Sequence, residues 1–200
     1  MMIPLRRRLA LWREYSELSN AGNIARRAFA NNSFDGVLTM MGVVVGSFFV
    51  GVQDAKVVLI TGVSTALAIG ISGGWGAYLT ESAERRNELD ELEHLTLTKL
   101  RHTRIGKASR VAVIQVAAID GLSPFFAALL VVLPFFFAAL LPSITYAYYA
   151  SVAMSLLALF CLGIYLGRIS KENVIVYGLK TTIAGVVCLL LIYFIEQITR

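Results

Sequence analysis

Apolar side chains concentrate in five long stretches of this chain. Gly36 to Val52 is the first, preceded by the uncharged segment Ala28 to Phe34. Val57 to Thr80 is the second, Val111 to Ile119 and a long run from Gly121 to Arg168 supply the next two, and Val174 to Ile195 is the last. About 20 helical residues cross the ~30 Å hydrocarbon core of a bilayer, and each stretch is long enough. The run after Asp120 exceeds one helix, and Pro134 together with the Leu141-Pro142-Ser143 turn divides it. The pattern predicts an all-α polytopic membrane protein with five transmembrane helices, the third at about 111–137 and the fourth at about 144–168. Its expected segments are a basic amphipathic N-terminal stretch (1–27), a first transmembrane hairpin (28–80), a charged cytoplasmic helix (81–110), a second hairpin (111–168) and a fifth transmembrane helix (169–200).

Composition agrees. Of 200 residues, 57% are hydrophobic and 16% charged, against about 25% charged in soluble domains. A disordered chain would be apolar-poor and charge-rich. Two cysteines, Cys161 and Cys188, supply no disulfide framework and read as small hydrophobes. No short apolar core follows the basic start as a signal peptide requires. Leu5, Leu9, Trp12 and Leu18 instead fall near helical spacing beside Arg6, Arg7, Arg8 and Arg13, the pattern of a helix in the headgroup layer.

The formal charge of +5 is mostly topology. Sixteen of the eighteen basic residues fall in the N-terminal segment, the connection between the second and third helices, and the turn into and start of the fifth; only Lys56 and Arg200 remain. The positive-inside rule then predicts N-in, C-out. Nucleic acid is not needed as a partner; the lipid bilayer is, and a prokaryotic-type plasma membrane is the expected location.

An internal repeat is also visible. Asp35-Gly36 and Asp120-Gly121 are 85 residues apart, and Gly76-Ala77-Tyr78-Leu79 and Gly163-Ile164-Tyr165-Leu166 are 87 apart. Two related hairpins plus a fifth helix is a transporter plan. Asp35 and Asp120 are the residues that need explaining. A carboxylate at the centre of a span costs about 2.5–3.5 kcal/mol on insertion scales, so it normally faces a partner, a cavity or an ion. From Asp35, Thr39, Gly42 and Gly46 extend a small, polar stripe along one helix face. Asp120 has Gln115 about one turn earlier and Pro124 one turn later. The carboxylates with Thr39 and Gln115 are the expected transport pathway, and Met40 and Met41 are candidate soft ligands. Gly70-x-x-x-Gly74 is a close-packing pattern.

Beyond Thr80 the sequence stays helical. Glu81, Glu84, Glu88 and Glu91 share one face, and Glu91-x-x-His94 has the spacing used by di-metal carboxylate bundles. The series is either a solvated charged face or part of a metal site completed by a symmetry mate.

Ser33-Phe34-Asp35-Gly36-Val37-Leu38 resembles the start of the first transmembrane helix of the vacuolar iron transporter family. Gly70 to Leu79, followed by Ser82-x-Glu84, is similar to that family's exit from the second helix. Leu162-Gly163 to Gly167-Arg168, then Gly178-Leu179-Lys180 and Gly185, are similar as well. The resemblance implies a homodimer of five-helix subunits that exports Fe²⁺ or Mn²⁺ from the cytoplasm in exchange for protons, with Asp35 as the pathway carboxylate. The chain departs from the family pattern where Gly73 replaces a methionine ligand, and where Thr65 and Ala28 replace acids. The metal-binding insertion is reduced to residues 81–110, and Asp120 is an acid outside the pattern.

The expected function is proton-coupled export of a divalent cation that is substrate rather than cofactor, with no enzymatic activity and no resident cofactor. Asp35 and Asp120 would bind the ion when ionised and carry protons on the return. Two alternatives stand beside it: a proton-coupled transporter of a non-metal substrate with the two acids as proton sites, and a non-transporting interaction protein that docks a partner through helix 80–105.

Overall fold

Five long apolar helices, with turns where the hydrophobic pattern breaks, make up the computed structural model, which describes residues 14–16 and 21–199. The amphipathic stretch expected around Trp12 lies outside the described residues. The helices are α1 (Ala21–Phe49), α2 (Ala55–Thr96), α3 (Arg104–Phe136), α4 (Ile144–Ser170) and α5 (Val174–Thr199). All five are long and apolar enough to cross a membrane, and no strand occurs among the described residues. A helix satisfies its backbone groups internally, which the bilayer core demands of any spanning segment.

The 42 residues of α2 reach about 63 Å, roughly twice the hydrocarbon thickness. Its apolar first half continues without a break into the charged segment ending at Thr96. Leu97 adopts a left-handed conformation (φ 51°) and turns the chain toward α3. Glu93 fixes that turn by accepting hydrogen bonds from the backbone N–H groups of Leu100 (2.6 Å) and Arg101 (3.1 Å). The sequence predicts a division between the third and fourth helices at Pro134 and the 141–143 turn. The structure carries α3 through both Pro124 and Pro134 and ends it at Phe136. A short 3-10 turn, Ala138–Leu140, follows, and Ser143 caps α4 by accepting from the Thr145 N–H. Proline removes a hydrogen bond but kinks a transmembrane helix rather than ending it when neighbours re-satisfy the backbone.

The chain folds as two compact units. One takes in the described part of Met1–Phe29 with Ile71–Leu122; the other is Ala30–Gly70 with Ser123–Arg200. In the second unit, Val37, Met40 and Val44 of α1, Val58 and Ala66 of α2, Val131, Val132 and Phe135 of α3, and Tyr148 and Leu159 of α4 form the apolar core. Hydroxyl groups stitch it to neighbouring backbone. Ser151 Oγ donates to the Val131 carbonyl (2.7 Å), Tyr148 OH to that of Val52 (2.9 Å), and Thr181 Oγ1 to that of Leu159 (2.8 Å). Gly163 of α4 lies against the Tyr177 carbonyl and Gly178 of α5, whereas Gly76, its counterpart in the sequence repeat, has open space around it.

Three glycines bring their own backbone against that of α3. A Cβ on Gly36 would lie 2.7 Å from Pro124 Cα. In the first unit, a Cβ on Gly73 would lie 2.7 Å from the Asp120 carbonyl oxygen, and one on Gly74 would lie 3.4 Å from Gly121 Cα. Neither Pro124 nor Asp120 offers a flexible side-chain tip there that could yield. Gly36→Ala and Gly73→Ala should each lose about 1–3 kcal/mol in unfolding measured in detergent micelles. Gly76→Ala, with nothing within 4 Å of the added methyl, should be neutral or slightly stabilising. Equal losses at all three sites would contradict this packing account.

Candidate functional site

The two faces of α1 differ. Val37, Met40, Met41, Val44 and Val45 are buried, while Asp35 and Thr39 are exposed. Gly42 and Gly46 continue the side of Asp35 and Thr39, and a Cβ at either would meet nothing within 4 Å. The small, polar stripe expected from the sequence is therefore an open face. Among the described residues no ion pair or hydrogen bond engages Asp35. Met40 and Met41 point the other way and are fully buried, with Met40 inside the apolar core.

Asp35 belongs to one unit and Asp120 to the other. Asp120 is half-buried and takes part in an interaction of its own. Pro124 cannot donate the N–H that would ordinarily bond the Asp120 carbonyl, and that carbonyl is the group against which Gly73 packs. Gln115 is half-buried, and its Oε1 is shielded from solvent without a hydrogen-bond partner. The structure also explains why glycine stands where the resemblance implies a methionine. A side chain at Gly73 would drive into the α3 backbone, so this packing and a thioether at that position exclude each other.

On the polar half of α2 the acids have other work. Glu81 and Glu88 both pair with Arg85 (2.9 and 3.1 Å), which occupies the turn between them. Glu84, Glu91 and His94 are exposed. Among the described residues no three His, Cys, Asp or Glu side chains come together as a group able to hold a metal ion. Of the predicted ligands, Glu81, Glu84, Glu88, Glu91, His94 and Asp120 belong to the first unit and Asp35 to the second. Asp90, outside the predicted stripe, pairs with Arg101 at 2.8 Å, and its carboxylate holds that guanidinium above the usual arginine pKa through the hydrogen bond and charge.

A further feature has no signature in the sequence. A cavity of about 750 Å³ opens between the polar half of α2 and the start of α3, lined by Arg85, Arg86, Arg101 and Arg110. These arginines register in the sequence only as topology signals. Their convergence depends on the turn at 97–103 folding α3 back along α2.

The VIT family model matches residues 27–102 and 96–197 of this chain. An uncharacterized protein of Methanocaldococcus jannaschii is 32% identical over 179 residues, covering 88% of this chain and 91% of that protein. Five membrane-length helices, an acid on the open face of α1 and a family match across nearly the whole chain lead to one assignment: the protein belongs to the VIT family of multi-pass membrane transporters of metal ions.

Proposed function

We propose that the chain is a proton-coupled exporter of a divalent cation, Fe²⁺ or Mn²⁺, working as a homodimer in the cell membrane with its N-terminus in the cytoplasm. One observation carries this reading: Asp35 lies inside an apolar span, exposed and without an ionic partner among the described residues. Left against lipid, a carboxylate at that depth is unfavourable by up to about 2.5–3.5 kcal/mol. A second copy of the same face would remove it from lipid and enclose a polar path lined by Asp35, Thr39 and the small residues Gly42 and Gly46. The sequence repeat and family membership support a transporter rather than an enzyme.

The coordination chemistry follows from the donors. Met40 and Met41 are committed to packing, and Gly73 leaves no thioether in α2 at the family position. Oxygen ligands remain, and carboxylate, hydroxyl and water suit Mn²⁺ at least as well as Fe²⁺. A cation and a proton compete for the same Asp35 carboxylate, so binding of one releases the other. That alternation couples the two ions. The same sixteen basic residues on the N-terminal side support the N-in orientation.

In proteoliposomes, Asp35→Asn should slow Mn²⁺ and Fe²⁺ transport by roughly 10–100-fold, the range seen when metal sites lose supporting groups, while Asp35→Glu should retain part of the rate. A proton gradient directed against the metal flux should accelerate the parent and not the Asn variant. Glu84→Gln with Glu91→Gln, both exposed on α2, should transport near the parental rate. Unchanged transport by Asp35→Asn would refute the assignment.

A further inference from the structure

The arginine-lined cavity has a chemistry that ion transport does not use. Two of its four arginines are already committed: Arg85 to Glu81 and Glu88, Arg101 to Asp90. Arg86 and Arg110 have no carboxylate partner among the described residues. They line the same cavity from different helices, Arg86 from α2 and Arg110 from α3, together with the hydroxyls of Ser82, Ser109 and Tyr78. Guanidinium forks and hydroxyl donors converging on one space select a tetrahedral oxyanion, and arginine suits phosphate by its planar bidentate geometry.

The cavity's level in the chain narrows the ligand. Tyr78 stands at the end of the apolar half of α2, and Arg110 immediately precedes the apolar run that begins at Val111. Val113 and Ile114 form part of the same wall. The space therefore runs from hydrocarbon-compatible residues to arginines across the boundary of the apolar segments. Basic pockets between transmembrane helices at this level take phospholipid headgroups. We propose that this cavity binds the phosphate of an anionic phospholipid headgroup, recognised by Arg86 and Arg110, whatever ion the protein transports.

Native mass spectrometry of the full chain in detergent tests this, with dioleoyl phosphatidylglycerol, dioleoyl phosphatidylcholine or inorganic phosphate as the probe. The parent should retain phosphatidylglycerol in preference to phosphatidylcholine. Arg86→Gln with Arg110→Gln should weaken that binding by about fivefold for each arginine removed. Arg168→Gln with Lys171→Gln, at the C-terminal end of α4 and outside the cavity lining, should leave it unchanged. Arg86→Lys with Arg110→Lys keeps the charge and should bind at an intermediate level, which preserves the test if the neutral variant does not fold. Inorganic phosphate binding that shows the same variant dependence, with no preference for phosphatidylglycerol, would overturn the lipid assignment and leave a phosphate site with a soluble source. Equal binding of both anionic probes by parent, Gln and Lys variants, or an equal loss in the α4 variant, would overturn the proposal altogether.

Discussion

Lipid tails are as apolar as leucine, so nothing equivalent to the hydrophobic effect presses helices together within a bilayer, and association depends on close packing. In this protein closeness is obtained between α4 and α5, where Gly163 lies against the Tyr177 carbonyl and Gly178, and on α3, where glycines of other helices meet its backbone directly. Gly36 meets Pro124 in one unit, and Gly73 and Gly74 meet Asp120, Ala117 and Gly121 in the other. Gly62 approaches α3 at a side chain instead, its Cβ position lying 2.7 Å from Val132 Cγ2. Two prolines inside α3 take donors from its ladder, and the helix nevertheless continues to Phe136.

This packing shapes the chemistry that remains. Where glycine admits a backbone, a ligand side chain cannot also stand, and Gly73 illustrates that exchange. The methionines of α1 are consumed by the core. What is left is oxygen: a carboxylate and a threonine hydroxyl on the open side of α1. On the charged half of α2, Arg85 engages Glu81 and Glu88, Asp90 and Glu93 secure the turn into α3, and Glu84 and Glu91 stay exposed.

The five helices are legible in the sequence because membrane spans are long, apolar and self-satisfied in hydrogen bonding. The open stripe of Asp35, Thr39, Gly42 and Gly46 is legible too, since helical periodicity alone sets which positions share a face. The end of the third helix is legible as well: it is expected near residue 137 and falls at Phe136, with Pro134 inside the helix. Glu81 and Glu88 resemble ligands because spacing shows a shared face and does not show that Arg85 closes between them. The arginine cavity is invisible in the sequence because Arg86 and Arg110 are 24 residues apart in the chain and meet one space only through tertiary folding. Glycine at position 73 reads in the sequence as a missing ligand, whereas in the structure its lack of a side chain is what lets α2 lie directly on the α3 backbone.

Whether the carboxylate on the open face of α1 receives the transported ion is tested most directly by anomalous diffraction from crystals of the full chain soaked in Mn²⁺. The account predicts an anomalous peak bonded to the Asp35 carboxylate, with Asp35→Asn crystals lacking it. A peak on the Glu81–Glu91 series, with none at Asp35, would contradict it.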